Sequence, residues 1–146
     1  MSVAFEKVLV LKNMPLFAHC AEGALADLVS LCEEQTYKAG EVILSEKHPN
    51  QSLYFILSGT VHLMRGKVSC GELAARQMFG YMTAWRHTAP SYRVVAYEDT
   101  ILLSITAQHF YQAMALHATL AFALLGELTQ RLELMQNKLE ESKKND

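Results

Sequence analysis

The sequence is poor in charge and has no excess of either sign. Asp, Glu, Lys and Arg make up 19% of its 146 residues, against about 25% in ordinary soluble domains. Thirteen basic residues face fifteen acidic ones, a formal charge of -2. The basic residues are scattered, so the sequence offers no basic patch for direct nucleic-acid contact. No apolar run exceeds the six residues of Leu120–Leu125. A membrane helix needs about 18 or more, so no membrane span is expected. Val8–Leu11 is too short for the apolar core of a secretory signal, and Lys12 and Asn13 stand where small cleavage-site residues belong. Cysteine is scarce: Cys20, Cys32 and Cys70 are odd in number and far apart. They read as free thiols of a cytoplasmic protein. They also lack the short spacings that an iron–sulfur or zinc site requires, so no metal and no cofactor is expected. The sequence contains no Gly-x-Ser-x-Gly elbow, Walker loop or His-Glu-x-x-His pair, and the expectation is a protein that is not an enzyme.

What the sequence does have is apolar residues, 51% of the total. That excludes disorder, fits one domain over residues 1–146, and argues for apolar surface shared with a partner. Three zones follow along the chain. Residues 1–35 read as helical: Phe5, Val8, Leu9 and Lys12 begin a periodic stretch that Pro15 stops, and Leu25, Leu28, Val29 and Cys32 form one apolar face. Residues 36–106 read as short strands: Val42–Leu44, Leu53–Leu57, Val61–Met64, Val94–Ala96 and Ile101–Ile105, with a turn at Arg65-Gly66-Lys67. Such spacing predicts a barrel or jelly roll. Residues 107–141 return to helix. Phe110, Met114 and His117 share one face, and Ala121, Leu125, Leu128, Leu132, Met135 and Leu139 recur at spacings of 4, 3, 4, 3, 4. That is a heptad seam, and it predicts a homodimer through this helix. A second row, Leu116, Leu120, Leu124 and Leu128, is available to pack on the chain's own barrel. Residues 140–146 read as a frayed tail.

Several of these strings resemble cyclic-nucleotide-binding domains. They are Leu11–Phe17, Tyr37–Leu44, Leu53–Val61, Phe79-Gly80, Val94–Asp99 and Leu102–Ile105, spread over residues 8–140. The resemblance implies an α+β fold, an eight-stranded β jelly-roll barrel flanked by N-terminal helices and a long C-terminal helix. That last helix would be the hinge and dimer helix of catabolite-activator-type regulators. In those regulators a DNA-reading helix-turn-helix follows it; no DNA-binding domain is expected within residues 1–146.

The phosphate-binding cassette of the family departs here. Phe79 and Gly80 are kept, but Tyr81 stands in the slot of the ribose-binding glutamate. Pro90 stands in the slot of the phosphate-binding arginine, and Tyr92 in that of a small alanine. Arg76 replaces a turn glycine, and Met135 and Gln136 fall near the polar pair that some members place over the base. A hydrogen bond to a charged group is worth about 1.5–3 kcal/mol, so losing both partners implies an affinity about two to four decades weaker. The rings of Tyr81, Tyr92 and Trp85 are expected to fill the nucleotide space. Arg86 and the backbone N–H groups of Met82 and Thr83 are the candidates to hold an anion instead; Arg93 should point away. His62 is a strand histidine that could ligate haem but more simply makes an ordinary contact. Two readings follow: a regulatory module acting through protein contact, or a sensor binding a cyclic nucleotide or other small ligand in the same pocket by another mode.

Overall fold

A computed structural model describes residues 3–144, with side chains from Phe5 onward. α1 (Val3–Lys12) ends before Pro15, which pushes Met14 into extended geometry and opens a single 3-10 turn, Pro15–Phe17. α2 (Glu22–Ser30) buries Ala24, Leu25, Leu28 and Val29. It stops at Ser30, so Cys32 lies outside it. The helical zone read as 1–35 is therefore shorter: β1 (Glu33–Tyr37) already begins at Glu33. Its sequence, Glu-Glu-Gln-Thr-Tyr, is a largely exposed edge strand with no apolar alternation to mark it.

Seven further strands follow: β2 (Val42–Leu44), β3 (Ser52–Ser58), β4 (Thr60–Arg65), β5 (Val68–Ala74), β6 (Met78–Phe79), β7 (Arg93–Ala96) and β8 (Thr100–Thr106). All pair antiparallel, in two four-stranded sheets ordered β1-β8-β3-β6 and β2-β7-β4-β5. With α3 (Tyr81–Ala84), α4 (Ala107–Leu116) and α5 (Ala118–Lys144), this is the mixed jelly-roll architecture anticipated from sequence. The expected tail is helical as far as Lys144; Asn145 and Asp146 lie outside the described residues.

The sheet β1-β8-β3-β6 is covered on both faces. Leu53, Phe55, Leu103 and Ile105 pack against the helices, with Phe17, Leu25, Leu28 and Phe110. Tyr54, Ile56 and Leu102 face the other sheet, among Leu44, Val61 and Val94. Double coverage explains why Leu53–Leu57 is a continuous apolar run rather than an alternating one. Gly59, at φ +96°, joins β3 to β4; a Cβ there would lie 2.6 Å from the Asp99 carbonyl oxygen.

α4 is capped by Thr106, whose hydroxyl accepts the His109 N–H at 3.1 Å. His117, in extended geometry, separates α4 from α5, and its Nε2 lies 2.6 Å from Asp27 Oδ2 on α2. The break corrects the proposed packing row. Leu120 and Leu124 are buried and Leu128 packs partly on the same core, but Leu116 closes α4 and is 75% exposed.

Candidate ligand cassette and helical interface

The cassette is built between β6 and β7. Gly80 caps α3 at φ +89°, where a Cβ would come within 2.6 Å of the Ser52 carbonyl oxygen. Only glycine fits that approach. Asn50, 4% exposed, ties the cassette to β3: its Nδ2 donates to the carbonyls of Ser52 and Gly80, both at 2.9 Å, and its Oδ1 accepts from Ser52 N–H. No motif in the sequence marks Asn50; its buried amide is the clamp of the loop. Arg76 takes φ +77°, the left-handed geometry for which a glycine is otherwise suited.

Gly80, Met82, Thr83, Arg86, Pro90 and Tyr92 come together around a cavity of about 240 Å³. That is below the roughly 300–1,000 Å³ of ordinary small-molecule pockets. Phe79 is not at its wall. It is buried between the sheets and stacks on Tyr54 at 4.9 Å. Tyr92 packs partly into the same inter-sheet core. Burial pushes its phenol pKa up, and Tyr81 adds to this, against the opposing fields of Arg131 and Arg65. Trp85 does not fill the nucleotide space as expected. It is 41% exposed and meets Phe110 of α4 edge-on at 6.0 Å, because it follows α3 on the helical side of the sheet. Arg93 is engaged elsewhere, its NH2 donating to the Gly66 carbonyl at 3.0 Å. His62 stacks on the exposed Tyr97 ring at 4.2 Å.

Tyr81 turns toward α5. Its hydroxyl accepts a hydrogen bond from Arg131 NH1, and the Arg131 guanidinium carbon lies 4.8 Å from its ring centroid. Arg131 Nε donates to Glu127 Oε1 at 2.9 Å. Burial disfavours the charge on Arg131, but Glu127 and Tyr81 outweigh it and hold the pKa above its ordinary value. Sequence reasoning missed Arg131 because it looked for a cation only in the cassette loop. The signal was an arginine inside the apolar rows of α5, between Leu128 and Leu132.

A larger cavity, about 760 Å³, runs between α5 and the sandwich; Leu63, Leu73, Tyr81 and Met135 contribute to it, with Arg76, Arg131, Lys138 and Glu127. Beside that face of α5, Leu125, Leu132 and Leu139 are 60%, 59% and 63% exposed. Gln136 is exposed as well. Leu128 is shared between the seam and the chain's own core. No helix among the described residues is long and apolar enough to cross a membrane, and no group of three or more His, Cys, Asp or Glu among them could hold a metal ion.

The profile of the cyclic nucleotide-binding domain matches residues 34–117, from β1 to the end of α4. The chain belongs to the cyclic nucleotide-binding domain family. It is 28% identical to the cyclic AMP receptor protein of Thermus thermophilus over 127 residues, 84% of this chain and 59% of that protein. It is 32% identical to glutaminase 1 of Bradyrhizobium diazoefficiens over 88 residues, 60% of this chain and 14% of that one. The chain thus spans only part of the curated relatives it matches. The crystal structure of the Thermus thermophilus catabolite activator protein superposes with a TM-score of 0.76 at 25% identity, covering 86% of this chain and 62% of that chain. A regulatory subunit of a cAMP-independent protein kinase A from Trypanosoma brucei shares the fold, with a TM-score of 0.72 at 19% identity over 95% of this chain and 54% of that chain.

Proposed function

We propose that this domain is a non-enzymatic regulatory and interaction module, dimeric through α5, with weak affinity for cyclic monophosphates. One observation carries the affinity claim: the two polar slots of the cassette hold Pro90 and Tyr81, and Tyr81 is engaged by Arg131 of the chain itself. The small cassette cavity and the half-buried Tyr92 ring support it. The exposed leucines of α5 support a second copy as the first partner, with a further protein partner on the assembled dimer. The three unpaired thiols fit a cytoplasmic setting.

Thermal unfolding with 1 mM cyclic AMP or cyclic GMP tests this reading. A micromolar site adds about 4 kcal/mol at 1,000-fold excess over Kd, and a millimolar site about 0.4 kcal/mol. We expect a Tm change of about 1 °C or less. A rise of about 10 °C contradicts the proposal. A different reading, a sensor whose small ligand enters beside α5 and not in the cassette pocket, is supported by the second cavity. Three cations and one carboxylate reach it, so its ligand would be anionic with an apolar body.

A further inference from the structure

We propose that the mouth of the sandwich between β1 and β2 is a separate binding site, for a small uncharged polyhydroxylated molecule of the sugar or polyol class, with Ser104, Gln35 and Glu33 as its polar contacts. The site stands apart from the regulatory reading above.

The inner face of the sheet β1-β8-β3-β6 changes character toward one end. Tyr37 of β1 packs with Leu102 and Ile56 in the inter-sheet core. Alternation along β1 turns Gln35 and Glu33 to that same face. Glu33 lies opposite Ser104, and Ser104 opposite Tyr54, so the three form one row across the sheet. There the apolar core ends, and the row borders a cavity of about 680 Å³. That volume lies within the roughly 300–1,000 Å³ of small-molecule pockets. β2 contributes Ile43 and Leu44 to its wall. Of its lining, only Leu44 also lines the cassette cavity, and Tyr81, Pro90 and Tyr92 take no part in it.

Ser104 is the residue that points to a ligand. It is 7% exposed, and among the described residues its hydroxyl has no hydrogen-bond partner. No fully enclosed side-chain oxygen or nitrogen among the described residues lacks a partner, so this hydroxyl is open to the cavity. A buried hydroxyl left unpaired costs stability and calls for a function. Gln35 is oriented by Tyr37, whose hydroxyl donates to Gln35 Oε1 at 3.2 Å; its amide N–H groups are then the donors it offers the cavity. Glu33 enters no ion pair among the described residues, and its carboxylate offers acceptors. The site thus presents a donor, an acceptor and a group that is both. A ligand hydroxyl, itself donor and acceptor, answers all three. No Lys or Arg lines the cavity, so a phosphate group would find no cation there and would face Glu33. Leu44 and Ile105 offer apolar wall to the carbon skeleton of a sugar ring.

Amide chemical shifts of the full chain test the site, with D-glucose, D-ribose or myo-inositol titrated in turn to about 20 mM, which reveals even a millimolar Kd. At least one should give saturable shifts at Glu33–Gln35 and Ser104–His109. Ser104→Ala should weaken that Kd about two- to tenfold, the worth of one neutral hydrogen bond. Glu33→Gln should weaken it about tenfold, because a charged acceptor is lost. Ser104→Ala should also leave Tm level or raise it by about 1–2 °C, since the fold makes no use of that hydroxyl. Absence of a saturable shift with all three compounds overturns the site. A Tm lower by more than about 3 °C in Ser104→Ala overturns it too, by assigning the hydroxyl to the fold. Shifts centred on Met82–Tyr92 place the ligand in the cassette and do the same. None of the three compounds carries a phosphate, so this result and the cyclic nucleotide result above can fail independently.

Discussion

Asn50 is the residue on which the cassette geometry depends most. It is buried, donates to two carbonyls and accepts from a backbone N–H, so Asn50→Ala leaves buried partners unsatisfied. The expected cost is about 2–3 kcal/mol, which a thermal melt should show as a Tm lower by about 5–10 °C. A loss under 2 °C would mean the clamp is replaceable. A second residue-level prediction concerns alkali. Burial pushes the Cys32 thiol up to about 12, with Lys7 opposing, and the Tyr54 phenol up to about 12, with Tyr37 adding and Ser52 opposing. In the unfolded chain they ionise near 9.0 and 10.0. Above those values the unfolded chain has released protons that the folded chain keeps. Stability from these groups is therefore whole below pH 9 and is lost as pH rises toward 12. Tm should fall steadily above pH 9, and Cys32→Ala should remove the earliest part of that fall. A melt that is flat from pH 8 to 11 would contradict it.

At the scale of elements, α5 buries Leu120 and Leu124 and leaves Leu125, Leu132 and Leu139 exposed, and the proposed dimer uses the second set. Leu124 belongs to the chain's own core, and Leu124→Ala should cost about 2–5 kcal/mol in a melt. Leu132 is 59% exposed and lies on the heptad row. Leu132→Glu should halve the mass seen by sedimentation and leave Tm of the barrel nearly unchanged. If the unmutated chain already sediments as a monomer, the seam has no twin to meet. Sequence made most of the elements legible where pattern and burial agree. Pro15 marked the first helix end, and β3 and β8 announced themselves as apolar runs. β1 and β5 were missed because Glu33–Tyr37 and Val68–Ala74 are mostly exposed, and an exposed strand carries no burial pattern. Likewise, Leu116 looked continuous with Leu120 only because the His117 break leaves no proline or glycine to mark it.

Across the whole molecule, the family's frame is kept. The resemblance implied which cassette slots are altered, since that needs only alignment of residue types. It did not show where the altered side chains go. Trp85 lies out against Phe110, Phe79 sinks between the sheets, and Tyr81 reaches 50 residues along the chain to Arg131. Such long-range choices are set by packing, not by local pattern. In this cyclic nucleotide-binding fold, Tyr81 of the cassette holds Arg131 of the chain's own C-terminal helix. Calorimetric titration of cyclic AMP into the unmutated chain tests the proposed weak affinity most directly. The account predicts no saturable heat below about 1 mM, the affinity left after two charged hydrogen bonds are lost. A one-site isotherm with a micromolar Kd would contradict it.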